Sequence, residues 1–222
     1  MNKLLPWLKA ATIAVALSAV SSKAAATEFV IAYDGFYDRL KVVNKGEFQY
    51  AQVNFYLSDI ASNEVCTIKS GKIITEKQEF DLTYTDKAQL LLPFDKQLDT
   101  DKAVIVVQPE NPKHECQLKL QIEATDLADF ELSKANLYTL NEEFDELLSD
   151  LSGFFVSKLM WFLLPEQQGV VLKFNGQDAI SANGVSCKEQ RCSIKVTDDW
   201  QDDNTVLNSH AELISATPWI VK

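Results

Sequence analysis

Residues 1–26 have the make-up of an export signal, and this decides the redox conditions under which the rest of the chain must fold. Lys3 and Lys9 form a positive start, Ala10–Val20 is an uncharged apolar stretch, and Ala24-Ala25-Ala26 supplies the small residues that a signal peptidase accepts. Cleavage is expected before Thr27. A retained membrane anchor is the competing reading, but crossing the hydrocarbon layer takes about 20 predominantly apolar residues, and this run is roughly half that and mostly alanine. No Cys sits at the cleavage site, which argues against attachment as a lipoprotein. Outside the cytosol, the even set Cys66, Cys116, Cys187 and Cys192 favours two disulfides over four thiols. Three connectivities are possible. The local one, Cys66 with Cys116 and Cys187 with Cys192, keeps each bridge inside one proposed unit. The first closes the longer loop and should contribute about 4 kcal/mol, the second about 2 kcal/mol, because a longer loop removes more disorder from the unfolded chain.

The leader takes Lys3, Lys9 and Lys23 with it and no acid, so the mature chain of 196 residues carries 18 basic against 32 acidic side chains, a net charge of −14. Nucleic-acid binding draws on Lys and Arg to neutralise phosphates, and Arg39 and Arg191 are the only arginines, so that class is excluded. Anionic lipid attracts each nearby Lys or Arg by about 1 kcal/mol, so a surface this acidic is repelled unless a basic patch forms locally. None is visible along the sequence. Charge of this kind keeps a chain soluble and leaves cationic partners or divalent metals as conceivable contacts.

From 48 to 123 short β segments alternate with turns. Phe48, Tyr50, Val53, Phe55 and Leu57 run close to period two, and Val65–Lys69, Lys72–Thr75, Phe80–Tyr84, Leu90–Leu92, Ala103–Val107 and Leu118–Ile122 follow. Ser70-Gly71, Asp99-Thr100-Asp101 and Pro109–Pro112 are the turn signals between them. Seven strands at this spacing suggest an immunoglobulin-like antiparallel β-sandwich over residues 27–125, although no Trp lies between Cys66 and Cys116 to make the usual core pair. Phe29–Tyr33 reads as an opening strand, and Phe36, Leu40 and Val43 have the spacing of a short helix that ends near Gly46.

The polar stretch 126–136 marks a junction, and 126–222 reads as a small α+β unit. A long helix is expected over about 140–164, because Leu140, Phe144, Leu147, Leu148, Leu151, Phe155, Leu159 and Phe162 recur at three and four, with Pro165 and Gly169 as the stop. Thr139 and Glu142 fit a capping box, and Glu142, Glu143, Asp145 and Glu146 fall where the helix dipole favours acids. Val170–Phe174, Ser193–Val196 and Ala211–Ile220 read as strands, with turns at Asn175-Gly176 and Asn183-Gly184 and a hairpin closed by Cys187 and Cys192. The whole is mainly β with one long helix.

Two clusters are candidate contact surfaces. The segment 154–164 is apolar on nearly every side of a helix, so Phe154, Phe155, Trp161 and Phe162 must be covered by the core, by self-association or by another envelope protein. Tyr33, Phe36, Tyr37 and Arg39 form the aromatic and basic cluster of the first unit, which could stack on a sugar or clamp a carboxylate; anchoring of the N-terminal segment is its plainer role. Asp198, Asp199, Asp202, Asp203 and Asn204 crowd one loop, but the Gly and terminal Glu of an EF-hand are missing, so a solvated acidic turn is expected rather than calcium. His114, Cys116, Cys187 and Cys192 lack zinc spacing, and oxidation would consume their thiolates. A thiol oxidoreductase is disfavoured because C-x-x-C is absent. Only His114 and His210 could serve as imidazole bases, and no nucleophile elbow, metalloprotease helix, P-loop or dinucleotide glycine pattern accompanies them. No catalytic residue, metal or cofactor is assigned on this basis.

The segments GFYDRLKVVNKGEFQYAQVNFYL (35–57), SGKIITEKQEF (70–80), QLLLPFDKQLDTDKAVIVVQ (89–108) and TPWI (217–220) resemble an uncharacterised family of exported proteins from Gram-negative bacteria, a domain of unknown function. The resemblance implies a periplasmic home and brings no reaction or ligand. The function expected is that of a non-enzymatic periplasmic binding or scaffolding protein of the envelope, with no membrane span in the mature chain. The alternative is an envelope hydrolase acting on a glycan or peptide, drawing on some pair of its many carboxylates.

Overall fold

Strands β1 (Phe29–Ala32), β2 (Ala51–Asp59), β3 (Ile68–Ile74), β4 (Glu79–Asp81), β5 (Thr83–Tyr84), β6 (Leu90–Leu91), β7 (Val104–Pro109) and β8 (Cys116–Ala124) precede the helix α3 (Lys134–Leu159), and β9 (Glu166–Phe174), β10 (Val185–Lys188), β11 (Arg191–Lys195) and β12 (Leu213–Val221) follow it. Two further helices, α1 (Asp34–Gly46) and α2 (Lys96–Thr100), lie among the early strands. This is a computed structural model describing residues 28–125, 127–159, 166–177, 179–180, 182 and 184–221, with backbone only at 153–159 and 166. The expected leader, the side chains of Phe154 and Phe155, and Trp161 and Phe162 all lie outside the described residues.

The chain is mainly β and its pairing is antiparallel throughout. One sheet has the order β1-β7-β3-β4, another β10-β11-β9-β12, and two ribbons pair β2 with β8 and β5 with β6. Alternation along β2 follows directly from its sequence: Ala51, Val53, Phe55 and Leu57 are buried, whereas Gln52, Asn54 and Tyr56 are only partly so. The buried row meets α1, where the Phe36 ring stands edge-on to Phe55 with centroids 4.8 Å apart. Each such side chain, wholly removed from water, contributes about 1.5–3 kcal/mol. α3 packs Leu137, Leu140, Phe144 and Leu147, all fully buried, toward strands that include β8, β9 and β12.

Several local expectations are revised. The two strands expected at Val65–Lys69 and Lys72–Thr75 form one, β3, which runs straight through Ser70-Gly71. Gly71 serves packing and not a turn: a Cβ there would lie 2.7 Å from Leu82 Cδ2. Conversely, Phe80–Tyr84 divides into β4 and β5 around the buried Leu82, whose N–H donates to Gly71 O at 3.0 Å. The expected turn at 99–101 is the end of α2, capped by Asp95, which accepts from Gln97 N, and closed by Lys102 in the left-handed region (φ 52°).

α3 begins at Lys134, six residues before the expected start, and has no acid in its first turn. The buried Ser133 caps it instead, its Oγ accepting from Asn136 N. Thr139 therefore sits inside the helix and donates to Ala135 O. Lys134 pairs with Asp203 at 2.7 Å and lies over the Trp200 ring, tying the helix start to the 198–204 loop.

Carboxylates hold both ends of β2. Glu143, reaching from α3, accepts from Gln49 N at 2.7 Å and from Tyr50 N and Ala51 N at 2.8 Å. Asp59 accepts from Ala61 N, Ser62 N, Ser62 Oγ and Glu115 N, and the Ser62 and neighbouring backbone bonds hold its carboxyl below the usual range. Beside it, Cys116 is the register partner of Asp59 and is bridged to Cys66. Cys187 and Cys192 are bridged across the β10–β11 hairpin, in which they are direct partners.

Two outcomes follow for stability. Glu143→Ala strands the part-buried N–H donors of Tyr50 and Ala51 and should cost about 2 kcal/mol in urea denaturation, with Glu143→Gln costing less. The Lys134 hydrogen bond lowers the Asp203 carboxyl to about 2. A depressed carboxyl stabilises the fold at pH values above its unfolded range of about 4, and that share is lost as pH falls toward about 2. Asp203→Asn should therefore flatten the fall of melting temperature over this window, and an unchanged slope would contradict the pairing.

Candidate functional site

The second face of the β2–β8 ribbon carries no apolar side chain from Gln52 to Ser58. Register places Gln52 opposite Glu123, Asn54 opposite Gln121, Tyr56 opposite Lys119 and Ser58 opposite Gln117, and period two puts all eight on one side. Glu123 is buried, at 8% exposure, and its carboxylate accepts from the Tyr56 hydroxyl, from Asn54 Nδ2 at 2.5 Å and from Gln121 Nε2 at 2.6 Å. Burial, reinforced by the bond to the Glu123 carboxylate, pushes the Tyr56 phenol far above its ordinary range, so it remains a donor. Ser58 Oγ is different: at 5% exposure it has no hydrogen-bond partner among the described residues. A groove of about 430 Å³ lies over this polar ladder, and Lys87, Lys119, Lys173 and Glu64 help to line it.

A second cavity, of about 680 Å³, opens beside the same strand. Leu40 and Val43 of α1, Ile73 of β3, Leu90 of β6, Leu92 and Leu98 give it an apolar interior, and Phe80 and Leu91 stand 43% and 44% exposed along it. Gln52, Asn54 and Gln89 line both spaces, so the two are neighbours along β2. The segment just before β6 pairs with this edge of β2 through the Tyr56–Gln89 bridge and the Leu57 N–H, which donates to Ala88 O at 3.0 Å. Two cavities of this size on rigid strands are the size of small-molecule sites.

The residues singled out from sequence lie elsewhere or face inward. Tyr33 and Phe36 are buried, and the Tyr33 hydroxyl donates to Pro93 O and accepts from Asp95 N. Tyr37 stacks on Phe94 at 5.0 Å, and the exposed Arg39 donates to Gly35 O on its own helix. These contacts make the group an anchor for α1. Among the described residues no three His, Cys, Asp or Glu are arranged to hold a metal, and Asp203 is committed to Lys134 and Thr205. His114 lies beside the Asp59 turn and the exposed His210 precedes β12, and neither lines the groove. Periodicity along the sequence marks the apolar half of β2 and not the polar ladder, whose signal is the complementary row Gln52, Asn54, Tyr56, Ser58 set against Gln117, Lys119, Gln121, Glu123.

Chemically, the groove offers fixed donors and acceptors. The Glu123 carboxylate is already bonded by three side chains, and no imidazole is among the residues that line the groove. Fold and site thus define a β-rich, doubly disulfide-bonded protein with a divided cleft along one strand. Residues 25–174 match the family described as a protein of unknown function, DUF2987, and the chain belongs to that family. The match spans the polar face of the ribbon and ends with β9, so the closing TPWI segment falls outside it. No curated protein and no solved structure matches the chain. Among the described residues no helix is long and apolar enough to cross a membrane.

Removing the Tyr56 hydroxyl leaves the buried Glu123 carboxylate one donor short. Tyr56→Phe should lower stability by about 1–2 kcal/mol in chemical denaturation, whereas Tyr37→Phe, which keeps its stacked ring, should change it by less than about 0.5 kcal/mol.

Proposed function

We propose that the chain is a non-enzymatic binding protein of the cell envelope, residing in the periplasm after loss of residues 1–26, and that the divided cleft along β2 is where its ligand sits. One observation carries the reading: a pre-formed polar wall whose Glu123 carboxylate is saturated by its neighbours, with Ser58, its Oγ buried and without a partner, among the residues that line the same groove. Burying such a hydroxyl without a partner costs free energy, and a bound acceptor or donor would recover it. The two disulfides support an oxidising compartment. We also read residues 27–125 as an immunoglobulin-like sandwich and 126–222 as an α+β unit, which the antiparallel sheets on either side of α3 support. On that division the groove lies where the units meet, since Lys173, Ile214 and Ser215 line it from the second.

Native mass spectrometry of protein released gently from the envelope tests this. Expected is a mass excess of one small ligand per chain, reduced when Asn54→Trp fills the groove. Bare protein in every preparation, together with turnover of envelope glycan or peptide fragments by the purified chain, would overturn it in favour of a hydrolase.

A further inference from the structure

The cleft is itself amphipathic. Its apolar part is lined by α1 and the strands, its polar part lies over the ladder, and Gln52, Asn54 and Gln89 line both. A purely polar ligand would leave the half-buried Leu40 and Val43 and the exposed Phe80 and Leu91 facing water, and a purely apolar one would leave Ser58 Oγ without a partner.

The charge of the polar part runs against that of the whole chain. In a protein of net charge −11, Lys87 before β6, Lys119 on β8 and Lys173 on β9 converge on one groove from distant points in the sequence. Among the described residues the ion pairs are Lys72 with Glu79 and Lys134 with Asp203, so these three ammonium groups are not spent on carboxylates. Glu64 and Glu123 line the groove too, the latter already bonded by Tyr56, Asn54 and Gln121. The balance suits a small head group of one or two negative charges and disfavours a polyanion.

Resting on the binding-protein reading, we infer that the ligand is a single-chain amphiphile with an anionic head. Its alkyl chain fills the cavity bounded by Leu40, Val43, Leu90 and Leu98, and its phosphate or carboxylate oxygens accept from Ser58 Oγ and the lysines. This is the local basic patch without which an acidic surface repels an anionic lipid.

Calorimetric titration of the disulfide-bonded protein with decyl phosphate, decanol and glycerol phosphate, each below any micelle concentration, separates the parts. Decyl phosphate should bind one per chain, at least about tenfold tighter than either truncated probe. Lys119→Glu with Lys173→Glu should cost decyl phosphate about tenfold or more and change decanol by less than about twofold; Phe80→Asp should weaken both alkyl probes. All three positions are exposed, and an unchanged melting temperature checks the fold of each variant. Equal binding of decanol and decyl phosphate overturns the anionic head, and equal binding of glycerol phosphate overturns the tail. No saturable heat with decyl phosphate, or a dimer that covers both cavities, overturns the inference entirely. A co-purifying ligand without charge or without an alkyl chain would also overturn it, while leaving the binding-protein reading intact.

Discussion

Three carboxylates organise β2, and the rest of the molecule is arranged around that strand. Glu143 gathers the three N–H groups at its entry, Asp59 ties its exit to the start of β8, and Glu123 locks the side chains of its polar face. A carboxylate that accepts several donors in a partly dry setting is among the stronger polar restraints available to a fold, because each bond is charge-assisted and each broken bond strands a donor. The strand so held is buried on one face by Val53, Phe55 and Leu57, and its other face is free to be a surface of defined chemistry.

That division of labour gives the cleft its character. Apolar residues pointing inward connect β2 to α1 and help to line the larger cavity, whereas the outward row of amides, phenol and hydroxyl lines the polar groove. Because both spaces share one strand, a change that shifts β2 must disturb both. α3 takes part from outside the ribbon: its buried stripe of Leu140, Phe144 and Leu147 fixes the helix, and the helix then delivers Glu143.

Legibility in the sequence followed the range of the physics. Local periodicity exposed the inward row of β2, the helical stripe of α3 and the short helix over Asp34–Gly46, and keeping each bridge within one unit anticipated both cysteine pairs. What depends on partners distant in the chain was hidden. Ser70-Gly71 reads as a turn until Leu82 is seen pressed against Gly71, and Glu143 reads as a dipole-facing acid until the strand start beneath it is known. Lys87, Lys119 and Lys173 are unremarkable along the chain, and it takes the pairing of β2 with β8, the Tyr56–Gln89 bridge, the pairing of β9 with β12 and the contact of β12 with β8 to bring them to one groove.

Amide hydrogen exchange at Gln49, Tyr50 and Ala51 tests the central restraint most directly, because these N–H groups have the Glu143 carboxylate as their acceptor. The account predicts protection close to that of the β2–β8 ladder amides, released only by global unfolding. Exchange at the rate of an open loop, with the ladder still protected, would mean that Glu143 does not hold the strand.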